Sequence, residues 1–193
     1  MADYGGDGAD ADFRAIADHA PVIIWLTDPA GQCVIRLVTR RQGLMVAAGN
    51  PKKVYELADL VREDLRFINR PAGSGTRFLL EGLLQDQGIA SGAIRGFEQS
   101  EDTHAAVAAC VASGLADVGF GLERPARYFQ LDFMPLATER YVLVCRPSAL
   151  QHPVAQALLR LLADADFRAS VNALPGYDAR AAGTVLPWSQ AFH

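Results

Sequence analysis

Lysine is almost missing from this chain: 193 residues hold two, adjacent at Lys52 and Lys53. With a formal net charge of −4, the sequence lacks the clustered cations that neutralise phosphates, which argues against a nucleic-acid surface of its own. Cysteine is scarce too. Cys33, Cys110 and Cys145 are far apart, with no CxxC spacing and no neighbouring histidine, so metal chelation has no support. They read as small buried hydrophobes in a reducing compartment. No apolar run approaches the roughly 20 residues of a membrane span. The start, "MADYGGDGADAD", is acidic and Gly/Ala-rich, without the basic region and apolar core of a signal peptide. Together these absences make a cytoplasmic location the expectation.

The bulk of the sequence is ordinary. A hydrophobic fraction of 50% and a charged fraction of 21% suit a globular body with a real core, in one domain or two small lobes. Residues 13–19 suit a short helix and "VIIWL" (22–26) a buried strand. "VIRLVTR" (34–40) and "GLMVAAG" (43–49) read as strands, and "PKKVYELADLVRED" (51–64) as a helix with proline in its first turn. A strand at 66–69, a helix at 75–86 and a strand at 94–98 follow. The segment 101–114 is the clearest helix, capped by Asp102 or Thr103 and stopped by Gly114. A strand at 116–122, a short helix at 124–130, strands at 132–137 and 140–147, and one or two helices within 153–174 complete the pattern. The tail is loop-like. Strands alternating with helices of this length point to an α/β fold with a largely parallel sheet.

In such sheets ligands sit beyond the carboxyl ends of strands, where helices begin. The turn "NRPAGSGTR" (69–77) is the glycine-rich one. No lysine follows its second glycine, so it is not a Walker A loop, and its spacing is not GxGxxG. The amides of Gly75, Thr76 and Arg77 lack intrahelical partners and carry partial positive charge. With the hydroxyls of Ser74 and Thr76 they suit an anion's oxygens, and Arg70 adds a charged donor. The plainer reading stays open: Ser74 caps the helix and Arg70 is solvated. Thr103 and His104 start the next long helix, where His104 either faces a ligand or decorates the surface. Glu101 and Asp102 are explained by the helix dipole alone. Glu123 and Arg124 follow another strand end and suit a rim. Tyr141, Trp25 and Trp188 read as packing residues. No nucleophile and base fall into a catalytic arrangement, so no enzymatic role is assigned.

The ordered series NRxxGSGTR (69–77), THxAVAxxVASGxAD (103–117) and PGYD (175–178) resembles type II periplasmic-binding-protein-like domains of the molybdate/tungstate-binding branch, over roughly residues 35–180. Such domains follow a DNA-binding domain or a molybdenum-cofactor biosynthesis enzyme. The resemblance implies two α/β lobes with mainly parallel sheets and a small oxyanion held by neutral donors and helix N-termini. It places Arg70, Ser74, Gly75 and Thr76 at the anion; Thr103 and His104, by their position at the next helix start, are added as candidate ligand residues, and no metal or cofactor is expected. Ahead of this region, "DFRAIADHAPVIIWLTDPAGQC" (12–33) resembles the opening of a PAS domain.

The expected organisation is therefore an acidic tail (1–12), a PAS-like fragment (13–33), a partial first lobe (34–63 and 138–193) and a second lobe (64–137). Two functions follow. One is a non-enzymatic binding or sensor domain for molybdate or tungstate. The other is a self-association or protein-interaction module without a ligand. A first lobe short of strand–helix units leaves an open edge and an apolar face, which soluble proteins cover. A homodimer with residues 20–48 in the contact is the expected result, and light scattering should report about twice the chain mass. A soluble, cooperatively folded monomer would show that the lobe closes by itself.

Overall fold

The computed structural model describes residues 32–192. The helix expected at 13–19, the strand at 22–26, Trp25 and nearly all of the PAS-like fragment lie outside the described residues. In chain order the elements are β1 (Cys33–Val46), a 3-10 turn (Leu57–Val61), β2 (Phe67–Ile68), α1 (Gly75–Asp86), a 3-10 turn (Ser91–Ala93), α2 (His104–Ala112), β3 (Val118–Leu122) and α3 (Glu123–Tyr128). Then come β4 (Asp132–Cys145), a 3-10 turn (Pro147–Gln151), α4 (Pro153–Ala163), α5 (Ala165–Asn172), β5 (Tyr177–Asp178), β6 (Val185–Pro187) and α6 (Trp188–Ala191).

The chain forms two compact units. An inserted unit takes Arg40–Thr138 with Leu174–Gly176, and a discontinuous unit takes residues up to Thr39, Glu139–Ala173 and those from Tyr177 on. β1 passes from the discontinuous unit into the inserted one after Thr39, and β4 returns after Thr138. The expected breaks at 41–42 and 138–139 are therefore continuous strand. Polar side chains suggested loops there, yet Gln42 and Glu139 are buried at 0% and 3% exposure.

In the inserted unit β3 pairs with β2 in parallel and with β1 antiparallel, so the sheet is mixed rather than largely parallel. The chain between β2 and β3 carries two helices, the crossover that a parallel pair requires. β1 arrives from the other unit and meets β3 head to tail. Leu44, Val46, Phe67, Val118 and Phe120 pack with Leu80 and Leu84 of α1. Their alternates Met45 and Ile68 pack with Val107 and Val111 of α2. Side chains alternate along a strand, so the sheet is covered by helices on both faces. This accounts for a β3 buried at every position.

Two expected elements are absent. The helix of 51–64 shrinks to the turn Leu57–Val61. The Asn50 side chain explains this: its Oδ1 accepts from the Val54 N–H at 2.9 Å and its Nδ2 donates to the Val54 carbonyl at 2.8 Å. A side chain that claims main-chain groups in this way competes with the helix. The strand of 94–98 is instead a series of turns, with Gly96 at φ +91° and Ile94 and Phe97 buried in the core. Val54, Leu57 and Leu60 share the α1-side core with Phe67, so residues 40–63 belong to the inserted unit instead of a first lobe.

The discontinuous unit is built on a smaller core of Ile35, Leu162, Ala179 and Ala182, joined by Leu158 and Phe167 from α4 and α5. The tail expected as loop supplies β5 and β6. Cys33–Ile35 of β1 pairs antiparallel with Val185–Pro187. Trp188 packs edge-on against Phe192 with centroids 5.0 Å apart. Among the described residues no helix is long and apolar enough to cross a membrane.

Candidate ligand-binding site

Two helices of the inserted unit, α1 and α2, follow neighbouring segments, since Asn69 after β2 bridges in parallel to Ser100. The Ser74 hydroxyl accepts from the Arg77 N–H at 3.2 Å, and the Thr103 hydroxyl accepts from the Ala106 N–H at 3.0 Å. Both residues are N-caps, as their extended backbone requires. In α1 the caps and the first turn take up the Arg77 and Phe78 amides, the latter through the Ser74 carbonyl. The Gly75 and Thr76 amides have no intrahelical acceptor. The same logic leaves the His104 and Ala105 amides of α2. Each capping hydroxyl keeps its own proton to donate. Thr76 is buried at 5% exposure, whereas Thr103 is exposed.

One arginine braces the segment that leads into α2. Arg70, at the end of β2, donates from Nε to the Glu101 carbonyl at 3.1 Å and from Nη2 to the Asp102 carbonyl at 2.8 Å. The solvated arginine of the plainer reading is thus replaced by a brace. A guanidinium has five N–H groups, so donors remain beyond these two contacts. Burial lowers the Arg70 pKa, the neighbouring Asp102 charge opposes that, and the Arg40 charge adds to it.

Asn69 completes the brace, and it was not among the expected site residues. It is fully buried, its Nδ2 donates to the Phe97 carbonyl at 3.1 Å, and its Oδ1 accepts the Arg70 N–H at 2.9 Å. Its main chain bonds Gln99 and Glu101 on the other side. A polar residue immediately after a buried strand and before the arginine was the available signal.

His104 sits in the first turn of α2 with its Nδ1 buried and without a hydrogen-bond partner among the described residues. Burial, then the charges of Arg70 and Arg40, push its pKa down to about 3. It is neutral at physiological pH and can offer a donor or an acceptor but no charge. Gly121 of β3 makes room for the ring: a methyl there would lie 2.8 Å from Nδ1.

Arg77, expected among the amide donors of the turn, has a separate structural role for its side chain. Its guanidinium is 8% exposed, bonds Glu98 at 2.8 and 2.9 Å and Glu81 at 2.9 Å, and lies 4.8 Å from the Phe97 ring centre. Glu123, expected at a rim, is buried at 4% and is held by Arg41 at 2.6 Å and Arg127 at 3.2 Å. Arg124 is exposed. Separately, the discontinuous unit holds a cavity of about 260 Å³ bordered by Arg36, Arg140, Tyr141 and Arg180. None of Arg70, Ser74, Gly75, Thr76, Thr103 and His104 lines it. Those six residues thus sit at, or just before, the starts of α1 and α2. Among the described residues no three metal-binding side chains gather.

Comparison with known proteins follows this architecture. "Uncharacterized protein YvgK" of Bacillus subtilis (strain 168) is 36% identical over 168 residues, covering 87% of this chain and 54% of that protein. The chain therefore spans about half the length of that relative. A solved structure described as a two-component system protein mediating signal transduction superposes with a TM-score of 0.58 at 14% identity, over 75% of this chain and 55% of its own. PEB3 with L-phospholactate bound superposes at 0.50 and 14% identity, over 75% of this chain and 68% of its own. These two likenesses concern the fold. The model of the PBP superfamily domain matches residues 19–163, three quarters of the sequence, and the chain belongs to that superfamily.

Proposed function

We propose that the chain is a cytoplasmic, non-enzymatic binding domain for a small oxyanion, with molybdate or tungstate favoured. The superfamily is one of ligand-binding domains, which supports small-molecule binding as such. The observation that supports the anion is the Arg70 guanidinium, fixed by the Glu101 and Asp102 carbonyls ahead of the capped start of α2 and carried on the segment that leads into the capped start of α1. Free first-turn amides, cap hydroxyls and one guanidinium are the donors that an oxyanion with several acceptor oxygens would use. A neutral His104 adds a donor without adding charge. The same fold in PEB3 holds L-phospholactate, itself an anion rich in oxygens.

Calorimetric titration with molybdate, tungstate, sulfate and phosphate tests this reading. Arg70→Ala and Thr76→Ala should each weaken binding by about 1–3 kcal/mol, the scale of a hydrogen bond to a charged group. Ser74→Ala should lower stability with or without ligand, because its cap is intrinsic to α1. Tight binding that survives the double change Arg70→Ala/Thr76→Ala would put the anion elsewhere.

A further inference from the structure

β1 and β4 are neighbours in the sheet, and their residues correspond in opposite order. Leu37 and Val38 border the same cavity as Tyr141 and Val142. Gly43 of β1 lies against Met134 and Pro135 of β4, close enough that a methyl added to it would sit 2.9 Å from the Pro135 Cα. Numbers rise along one strand as they fall along the other, so the two run antiparallel. In that order Cys33, the first residue of β1, and Cys145, the last residue of β4, form the end pair, and they lie close enough for Cys33 to act electrostatically on Cys145.

The faces agree. Ile35, two residues from Cys33 and so on the same side of β1, belongs to the small core of the discontinuous unit, and Cys145 packs against that core. Directly opposed residues in antiparallel strands have Cα atoms about 4.5–5.5 Å apart. That lies inside the range of about 4.4–6.8 Å that a disulfide spans. Both thiols are free and half-buried.

We infer that Cys33 and Cys145 are a thiol pair that closes to a cross-strand disulfide under peroxide. One thiolate attacks a peroxide oxygen, the O–O bond breaks, and a sulfenic acid and one water form. The second thiolate then attacks that sulfur, expelling hydroxide as a second water. Two thiols lose two electrons and two protons, and the peroxide takes them. The bond would bracket the inserted unit, because residues 40–138 all lie between the two cysteines. Burial and the nearby Cys33 raise the Cys145 pKa, so closure should be slow at neutral pH and quicken as pH rises. Cys110 is a natural control. It lies in α2, within 3.8 Å of Glu101 Oε1, and has no cysteine beside it among the described residues.

The test treats the reduced 193-residue chain with hydrogen peroxide and maps its peptides without reduction. The expected product is one chain lighter by two hydrogens, with a Cys33 peptide joined to a Cys145 peptide and Cys110 still open to alkylation. Its thermal midpoint should rise by several degrees, since the bond closes a long loop of the unfolded chain. The closure rate should increase about tenfold per pH unit below the thiol pKa. Cys33→Ser and Cys145→Ser should each abolish the cross-link and the midpoint shift. A cross-link through Cys110, a bond between two chains, or oxidation to sulfinic acid with no cross-link would overturn the inference. Mapping of the unmutated chain decides the matter even if a serine variant fails to fold.

Discussion

Gly43→Ala should destabilise the protein by about 3 kcal/mol or more, the upper range of overpacking costs. The added methyl would collide with the Met134 carbonyl oxygen, and would lie 2.8 Å from the Met134 carbonyl carbon and 2.9 Å from the Pro135 Cα. All three are main-chain atoms of β4, so no side-chain rotation can relieve the clash. The strands would have to part at a point where Gly43 is buried. Gly82→Ala is the matched control. Gly82 lies inside α1 with nothing within 4 Å of the added methyl, and there alanine should stabilise by about 0.5–1 kcal/mol. Urea unfolding of the two variants should therefore shift the midpoint in opposite directions. A Gly43→Ala protein within about 0.5 kcal/mol of the parent, the scatter of ordinary surface changes, would show that β1 and β4 do not approach so closely.

Lowering the pH from 7 to 4.5 should remove about 2–3 kcal/mol of stability through His104 alone. The sign follows from the depressed pKa. The unfolded chain takes up a proton near 6.5, whereas the folded one resists until about 3. Between those values the unfolded state binds more protons, so stability falls as pH falls, by up to about 1.4 kcal/mol per unit. Asp64, Asp117 and Asp178 have pKa values lowered by Arg62, Arg66 and Arg180 respectively, and they add losses only below the usual carboxylate range. The decisive comparison is with His104→Gln, whose stability between pH 7 and 4.5 should be flatter by the stated amount. Parallel curves for the two proteins would mean that the ring is solvated and ordinary.

The legible parts of this chain were those where one physical signal dominated. Helix α1 matches its expected bounds of 75–86, and α2 starts at the residue after its Thr103 cap, because a capping hydroxyl at the start of a long helical segment has little competition. Helices α4 and α5 were likewise visible from periodicity, with Asp164 capping the second. The failures came where distant contacts decided the outcome. Nothing local shows that Asn50 will hold Val54, or that Gln42 and Glu139 will be buried within continuous strands. The candidate site was half visible. Ser74 and Thr103 identified themselves as caps, but the role of Arg70 depends on carbonyls about thirty residues away, whose position only the fold provides. Glu98 was silent for the same reason, and Asn69 showed only as a polar residue following a buried strand.

The order in which the two units are completed has a consequence during synthesis. A ribosome emits the chain from its N-terminus, and domains generally fold as they emerge. When Thr138 clears the exit tunnel, the inserted unit lacks only Leu174–Gly176, whereas α4, α5, β5 and β6 of the discontinuous unit have not yet emerged. The early half of β1 must then wait, with Ile35 lacking the partners Leu162, Ala179 and Ala182 that bury it later. For about forty residues of elongation, two or more seconds at about 5–20 residues per second, this short segment is the exposed adhesive end of an otherwise nearly finished particle. Nascent chains arrested just after Thr138 has emerged should therefore resist protease over residues 40–138 while being cut near residue 35.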